Sequence, residues 1–239
     1  MKSSLRWVFQ ILALTIICAG VVPGDDAPGD DAGKILKLTE DTYRGLQSYR
    51  FEGTTVSETK VGGGVSKSET SFVVAYQKPN KFRVEYIYPT AGNWVRVSDG
   101  KTTWRRRSLT KESTEGAAKD EDLGILDGSP VSPYWNIFEH VAKPSMTGSE
   151  AIDIGGKSHE CFVIQVEPTG LSVRPGMQAA PGKLWIDKSN HLIPREVNRS
   201  VAQGSKGAEN TQTVSFTQAE VNQTVPDDLF HLAAAPTKR

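Results

Sequence analysis

The side chains that could do chemistry in this chain are few and far apart. His140, His159, His191 and His231 are widely separated, and none falls in a familiar catalytic spacing. His159-Glu160-Cys161 offers three potential metal ligands in a row. Neighbours on a strand point to opposite faces, so only His159 and Cys161 share a side, and two ligands do not make a zinc site. No metal site is expected. No Gly-x-Ser-x-Gly elbow and no phosphate-cradling glycine loop occurs. Gly62-Gly63-Gly64 lies between two strand-like runs and reads as a hairpin turn. Arg105-Arg106-Arg107 suggests an anion site, but alternation sends Arg105 and Arg107 one way and Arg106 the other. A solvated edge or outer face is therefore the expected reading of that run. Cys161 sits in the apolar run Cys161-Phe162-Val163-Ile164, which suits a buried structural thiol. The expectation is a protein that is not an enzyme and carries no cofactor.

What the sequence has in quantity is amphipathic strand. From Lys78 to Trp104 it encodes a Pro-Asn turn, an alternating strand and a hairpin. Phe82, Val84, Tyr86 and Tyr88 alternate with Arg83 and Glu85, which gives one greasy and one wet face. Asp99-Gly100 between two such runs signals a tight hairpin, with positive φ expected at Gly100. If those two residues form the whole loop, Ser98 faces Lys101, Val97 faces Thr102 and Val95 faces Trp104. Val95, Val97 and Trp104 then share one face, with Trp94, Arg96 and Arg105 on the other and Trp94 opposite Arg105.

The surrounding segments follow the same logic. Ile35, Leu38, Thr42, Leu46 and Tyr49 have helical spacing, which predicts a helix over Lys34–Tyr49. Strands are expected near Tyr49–Thr59, Ser71–Tyr76, Ala151–Ile154, His159–Glu167, Lys183–Asp187, Arg195–Val201 and Thr211–Ala219. Ser132-Pro133 offers a cap and first-turn proline for a short helix over Tyr134–Val141. Lys111–Pro130 reads as a long exposed loop and Leu171–Gly182 as a flexible segment. Short strands, tight turns and one long helix indicate an α+β domain.

The N-terminus reads as a targeting segment. Lys2 and Arg6 precede an apolar run from Trp7 to Val22, followed by small residues suited to cleavage after Gly20 or Gly24. Ile17 before Cys18 departs from a lipobox, so Cys18 is read as part of the discarded signal. An N-terminal membrane anchor and a lipid on Cys18 are the alternatives. The expected organisation is a signal peptide over 1–24, a flexible leader over 25–33 and a single domain over 34–239. The chain balances 28 basic against 28 acidic residues. That balance gives no support for nucleic-acid binding. Cys161 alone remains after cleavage, so no internal disulfide forms.

The Lys78–Trp104 block resembles the LolA/LolB family of bacterial lipoprotein carriers. A basic residue before Pro79-Asn80, an amphipathic strand and the Val97-Ser98-Asp99-Gly100-Lys101-x-x-Trp104 hairpin carry the likeness. So do a preceding helix, the Leu184-Trp185-Ile186-Asp187 strand, and Val225-Pro226-Asp227-Asp228-Leu229-Phe230 ahead of a C-terminal proline. The resemblance spans roughly Lys34–Pro236 and implies a strongly curved antiparallel sheet, an incomplete β-barrel, covered on its concave side by helices. It implies a non-catalytic periplasmic carrier that binds lipoprotein acyl chains or another hydrophobic ligand for transfer to the outer membrane. Inner- and outer-membrane partner proteins and a monomeric state go with that reading. The cavity residues expected are Phe82, Val84, Tyr86, Val95, Val97 and Trp104. Lys78 stands where the carriers gate their lid with arginine, and lysine lacks the planar bidentate fork. A periplasmic regulator of the envelope-stress type that senses lipid or peptide, and a membrane-anchored lipoprotein receptor, are the other classes this sequence allows.

Overall fold

The structure, a computed structural model, describes residues 28–118, 129–169, 176–202 and 207–232. The expected signal peptide, Cys18 and the final proline lie outside the described residues. Helix α1 (Pro28–Gly45) is followed by strands β1 (Ser48–Val61), β2 (Gly64–Gln77), β3 (Lys81–Tyr88), β4 (Gly92–Asp99), β5 (Thr102–Arg107) and β6 (Glu112–Ala117). A 3-10 turn (Ser132–Asn136) runs into the one-turn helix α2 (Ile137–His140). Strands β7 (Val141–Ile154), β8 (Lys157–Pro168), β9 (Met177–Asp187), β10 (Arg195–Ala202) and β11 (Glu209–Val221) follow, then a second 3-10 turn (Asp227–Phe230).

The eleven strands form one open antiparallel sheet in the order β6-β5-β4-β3-β2-β1-β11-β10-β9-β8-β7. The first and last strands β6 and β7 are its edges, so the sheet is curved but not closed into a barrel. The curl shows at the β7–β8 turn, where Gly155 comes against the Thr217 carbonyl of β11. A bulge between Glu52 and Gly53 of β1 helps the sheet bend. Gly53 has no room for a Cβ, which would stand 2.2 Å from the Ser215 carbonyl and 2.6 Å from the Phe72 ring. Phe72 and Phe216 meet edge-on over it, their centroids 5.5 Å apart.

Several expectations change. Residues 28–33, read as flexible leader, belong to α1, whose first turn has the proline and acidic residues that suit a helix start. The helix ends at Gly45 rather than Tyr49. Its buried stripe is Ala32, Leu36, Thr39, Glu40, Tyr43, with Leu46 just beyond, while Leu38 is exposed. The apolar pattern through Ile35, Leu38 and Thr42 missed this stripe because two of its members, Thr39 and Glu40, are polar. Part of the expected 111–130 loop is edge strand β6, whose six residues are all exposed and therefore show no apolar alternation. Residues 119–128 of that stretch, and 170–175 of the segment expected to be flexible, lie outside the described residues. β9 already begins at Met177.

Gly100 has φ of +93°, as the hairpin requires. The pairing, however, slips by two residues. Ser98 faces Thr103, Val97 faces Trp104, Val95 faces Arg106, and Trp94 faces Arg107. The two-residue loop is Gly100-Lys101, because the Asp99 carboxylate accepts the Lys101 and Thr102 N–H groups, both at 2.8 Å.

Replacing Gly53 with Ala should lower stability by about 2 kcal/mol or more, since both the backbone and a packed ring obstruct the added methyl. Gly53→Ala and Gly156→Ala can be compared by urea unfolding. Gly156 has open space around it, so the clash component should be absent there.

Candidate functional site

Cross-strand partners share a face, so the register sorts the side chains directly. One face carries Tyr49, Phe51, Phe72, Val74, Tyr76, Phe82, Val84 and Tyr86 across β1–β3. Tyr43 of α1 and Trp135 of the first 3-10 turn pack against it, with ring centroids 6.2 Å (Tyr43–Phe51) and 5.3 Å (Trp135–Tyr49) apart. We call this the helix-side face. It continues through Val214, Phe216, Leu184, Ile186 and Ile164 as one buried apolar cluster shared with Ala32, Leu36 and Leu46.

The six expected cavity residues do not lie on one face. Phe82, Val84 and Tyr86 are on the helix-side face. Their partners on β4 are Ser98, Arg96 and Trp94, in that order. Val95 and Val97 instead pair with Glu85 and Arg83, so they and Trp104 point away. The grouping failed because it assumed that the apolar faces of two hairpins coincide. The short turn over residues 89–91, which pairs Tyr88 with Gly92, sets that phase.

Val95 and Val97 are buried all the same. The C-terminal segment folds over that side, where Ala75, Val225 and Phe230 form a small cluster. Arg83 holds this segment by donating to the Leu229 carbonyl at 3.2 Å and the His231 carbonyl at 3.3 Å. Lys81 adds an ion pair with Asp227. Sequence reading noted the Val225–Phe230 motif but had no means of placing it over β3 and β4.

Lys78 is exposed. Its backbone N–H, not its ammonium, bonds the helix side, donating to the Gln47 carbonyl at 3.0 Å. The cation that ties the helical elements together is Arg44. Its Nε donates to the Trp135 carbonyl at 2.7 Å and Nη2 to Asn136 Oδ1 at 2.6 Å. Glu40, nearly buried, stands 3.1 Å from the same guanidinium. Tyr134 donates to Glu196 Oε2 at 2.8 Å, so this helical segment is pinned to α1 on one side and β10 on the other. Nothing local in the sequence marks Arg44, because a lone arginine in the last turn of a helix suits the macrodipole without further purpose.

A cleft of roughly 430 Å³ opens where β10 stops short of the sheet end, between β11 and the β8–β9 strand ends. Phe51, Phe216 and Ile193 lie at its apolar side, and His159 and Asp187 at its polar side. His159 Nδ1 meets Asp187 Oδ2 at 2.6 Å. Asp187 also accepts from Ser189 Oγ at 2.6 Å and the Ser189 N–H at 2.7 Å. Burial raises the Asp187 carboxyl, but the Ser189 and His159 bonds outweigh it and hold the group below the usual carboxylate range. Burial, with Asp187 and Glu160 nearby, pushes the Cys161 thiol up to about 11. That shift favours the protonated thiol at neutral pH. Among the described residues no three potential metal-ligating side chains gather.

No protein-family model and no curated protein sequence matches the chain. Solved structures do show likeness. A putative outer-membrane lipoprotein-sorting protein domain from Vibrio parahaemolyticus is 10% identical, with 84% of this chain and 97% of that one covered at a TM-score of 0.36. A LolA-superfamily protein from Nitrosomonas europaea is 13% identical over 84% and 97%, at 0.34. MucB is 17% identical at a TM-score of 0.48, covering 86% of this chain but only 64% of its own. These are what the chain is similar to.

Because Asp187 has a lowered pKa in the fold, its contribution to stability is full above the ordinary carboxylate value of about 4 and is lost as pH falls through the lowered one. Asp187→Asn should reduce stability at pH 7 and flatten the acid limb. Urea midpoints for both proteins between pH 7 and pH 2 check this, and parallel limbs would assign the acid sensitivity elsewhere.

Proposed function

We propose that this chain is a non-catalytic periplasmic carrier, which shelters the acyl chains of a lipoprotein or a similar ligand between its helical layer and the helix-side face. The observation that carries the reading is the seam between them. The buried apolar cluster reaches from β3 to Met146 of β7, yet it is closed by one long helix and a nine-residue helical segment joined through Arg44.

The seam has the character of a joint that opens. Among the described residues, the Thr39 and Tyr49 hydroxyls are buried there without hydrogen-bond partners. Each such group costs about 1–3 kcal/mol relative to solvated or paired. Separating the layers would relieve both. Leu38 and Phe138 are exposed on the helices, leaving apolar surface free on the outside of the layer. An acyl chain that displaced the helices would regain about 0.8 kcal/mol per buried CH₂, so affinity needs no charge along the chain. In the closed form the rings of Phe51, Phe72 and Phe216 fill the space a chain would take. The Lys78–Trp104 resemblance points the same way, with the latch at Arg44 rather than Lys78. The N-terminal 24 residues supply export, and lipid-bearing proteins on either membrane would be the partners.

Arg44→Ala should favour the open form and raise the affinity for a fluorescent fatty-acid probe about tenfold, the equivalent of one charged hydrogen bond. Arg44→Lys should give an intermediate value, because one ammonium cannot serve both Trp135 and Asn136. The wild-type chain, purified from its own envelope, should carry lipid visible by native mass spectrometry. No probe binding by any of the three proteins, together with lipid-free native protein, would end the carrier reading.

A further inference from the structure

We infer that the ligand is an anionic amphiphile, such as an acidic phospholipid, with its phosphate held by Arg105 and Arg107 at the β5 end of the helix-side face. The inference rests on the carrier reading and names the class of cargo.

The register sets three guanidiniums beside the apolar face. Arg96 pairs with Val84 on one side and with Arg105 on the other, and Trp94 pairs with Tyr86 and with Arg107. All of these therefore project from the same side of the sheet. Passing from β2 to β5 along this side, polarity rises in steps. Phe72 and Val84 are buried, Tyr86 and Trp94 are half-buried, and Arg105 and Arg107 are exposed. Arg96 bridges the steps, with its guanidinium over the Phe82 ring, 5.1 Å from the centroid.

The aromatic step is continuous. Tyr86 lies 5.9 Å from Trp94 and 6.3 Å from Tyr88, centroid to centroid, and Tyr88 is exposed at the rim. Tyrosine and tryptophan with one wet edge suit the boundary between acyl chain and headgroup. Beyond them, residues two apart on one strand are separated by about 6–7 Å, so Arg105 and Arg107 can reach one phosphate together. The planar guanidinium fork matches phosphate oxygens in paired bonds.

Overall composition does not explain this cluster, because the chain is balanced at 28 basic and 28 acidic residues. Edge protection does not explain it either, since β6 lies outside β5 and forms the edge. Of the acidic groups near this side, Glu112 stands directly across from Arg107 on exposed β6 and offsets part of its charge, while Arg105 faces Thr114. Glu85 is on the other face, bonded to Arg83 at 2.5 Å. A purely acyl-binding carrier would have no use for placing cations at the end of its apolar track, where like charges opposite one another, as at Arg96 and Arg105, weaken strand pairing.

The test uses the mature full chain and two fluorescent phospholipids with identical acyl chains, phosphatidylglycerol and phosphatidylcholine. Wild type should bind phosphatidylglycerol about tenfold more tightly, with the margin shrinking as salt is raised. Arg105→Gln/Arg107→Gln should lower phosphatidylglycerol affinity to the level of phosphatidylcholine, while Arg105→Lys/Arg107→Lys should keep part of the margin. Both positions are exposed, and an unchanged thermal midpoint would verify folding. Equal affinities in wild type, or a margin that survives the Gln pair, would overturn this inference and leave the carrier reading standing. Binding of neither lipid would overturn both. Glycerol 3-phosphate should not compete at the concentrations used. If it competes as well as the lipid, the arginines form a site for free phosphate and the lipid assignment falls.

Discussion

The constraint on which this structure depends is that a very wide apolar sheet face must be buried by very little helix. The face runs from Met146 and Ile164 on one side to Val84 and Tyr86 on the other. Eighteen residues of α1 and nine of the 132–140 segment are what the described chain sets against it. Curling the sheet reduces the area to be covered, and the β1 bulge with its side-chain-free Gly53 makes the curl possible. Large rings supply the remainder. Tyr43, Tyr49, Phe51, Tyr134 and Trp135 contact one another within about 5–6 Å and fill the space with few residues.

That economy has a polar cost concentrated at the same seam. Glu196 is drawn against the helical segment, and burial raises its carboxyl above the usual range even though Tyr134 and Asn198 donate to it. Two hydroxyls nearby stay without partners, and Arg44 spans the helices through a carbonyl and an amide oxygen. Native cores leave only a few buried polar groups unpaired. Here the two hydroxyls, Thr39 of α1 and Tyr49 of β1, belong to the two layers that meet at the seam. The opposite face contrasts with this. Its small clusters are fastened by Arg83 and Lys81 over Val97, and by the Trp185 indole donating to Glu150 at 2.8 Å beside Cys161. Those contacts hold covering segments down at their polar ends.

Much of the sheet was legible because alternation is a local signal. The β3 strand, the Gly62-Gly63 and Gly155-Gly156 turns and the positive φ of Gly100 followed from residue type alone. What failed was relational. The hairpin slipped because Asp99 prefers to cap the turn from outside it, and the faces of β3 and β4 were phased wrongly because the turn over residues 89–91 pairs Tyr88 with Gly92. The helical stripe was missed because it includes polar Thr39 and Glu40. β6 was invisible because an edge strand in water needs no apolar residue. The Arg44 latch joins residues about ninety positions apart, and nothing local to Arg44 announces Trp135.

The same relational errors changed the meaning of the arginine run. On an outer face, Arg105 and Arg107 would have been ordinary solvated charge. The register brings them to the side of Phe82, Val84 and Tyr86, while Arg106 alone joins Val95 on the other. The apolar track thus has an inside, where rings close the space, and an outside end, where aromatic edges give way to cations. A buried acyl chain is held by area and has no preferred direction, because dispersion and the hydrophobic effect are not directional. Fixed charge at one end supplies the missing polarity. For the carrier we propose, that polarity would let a ligand enter chain-first from a single side, away from the Arg44 contacts with Trp135 and Asn136.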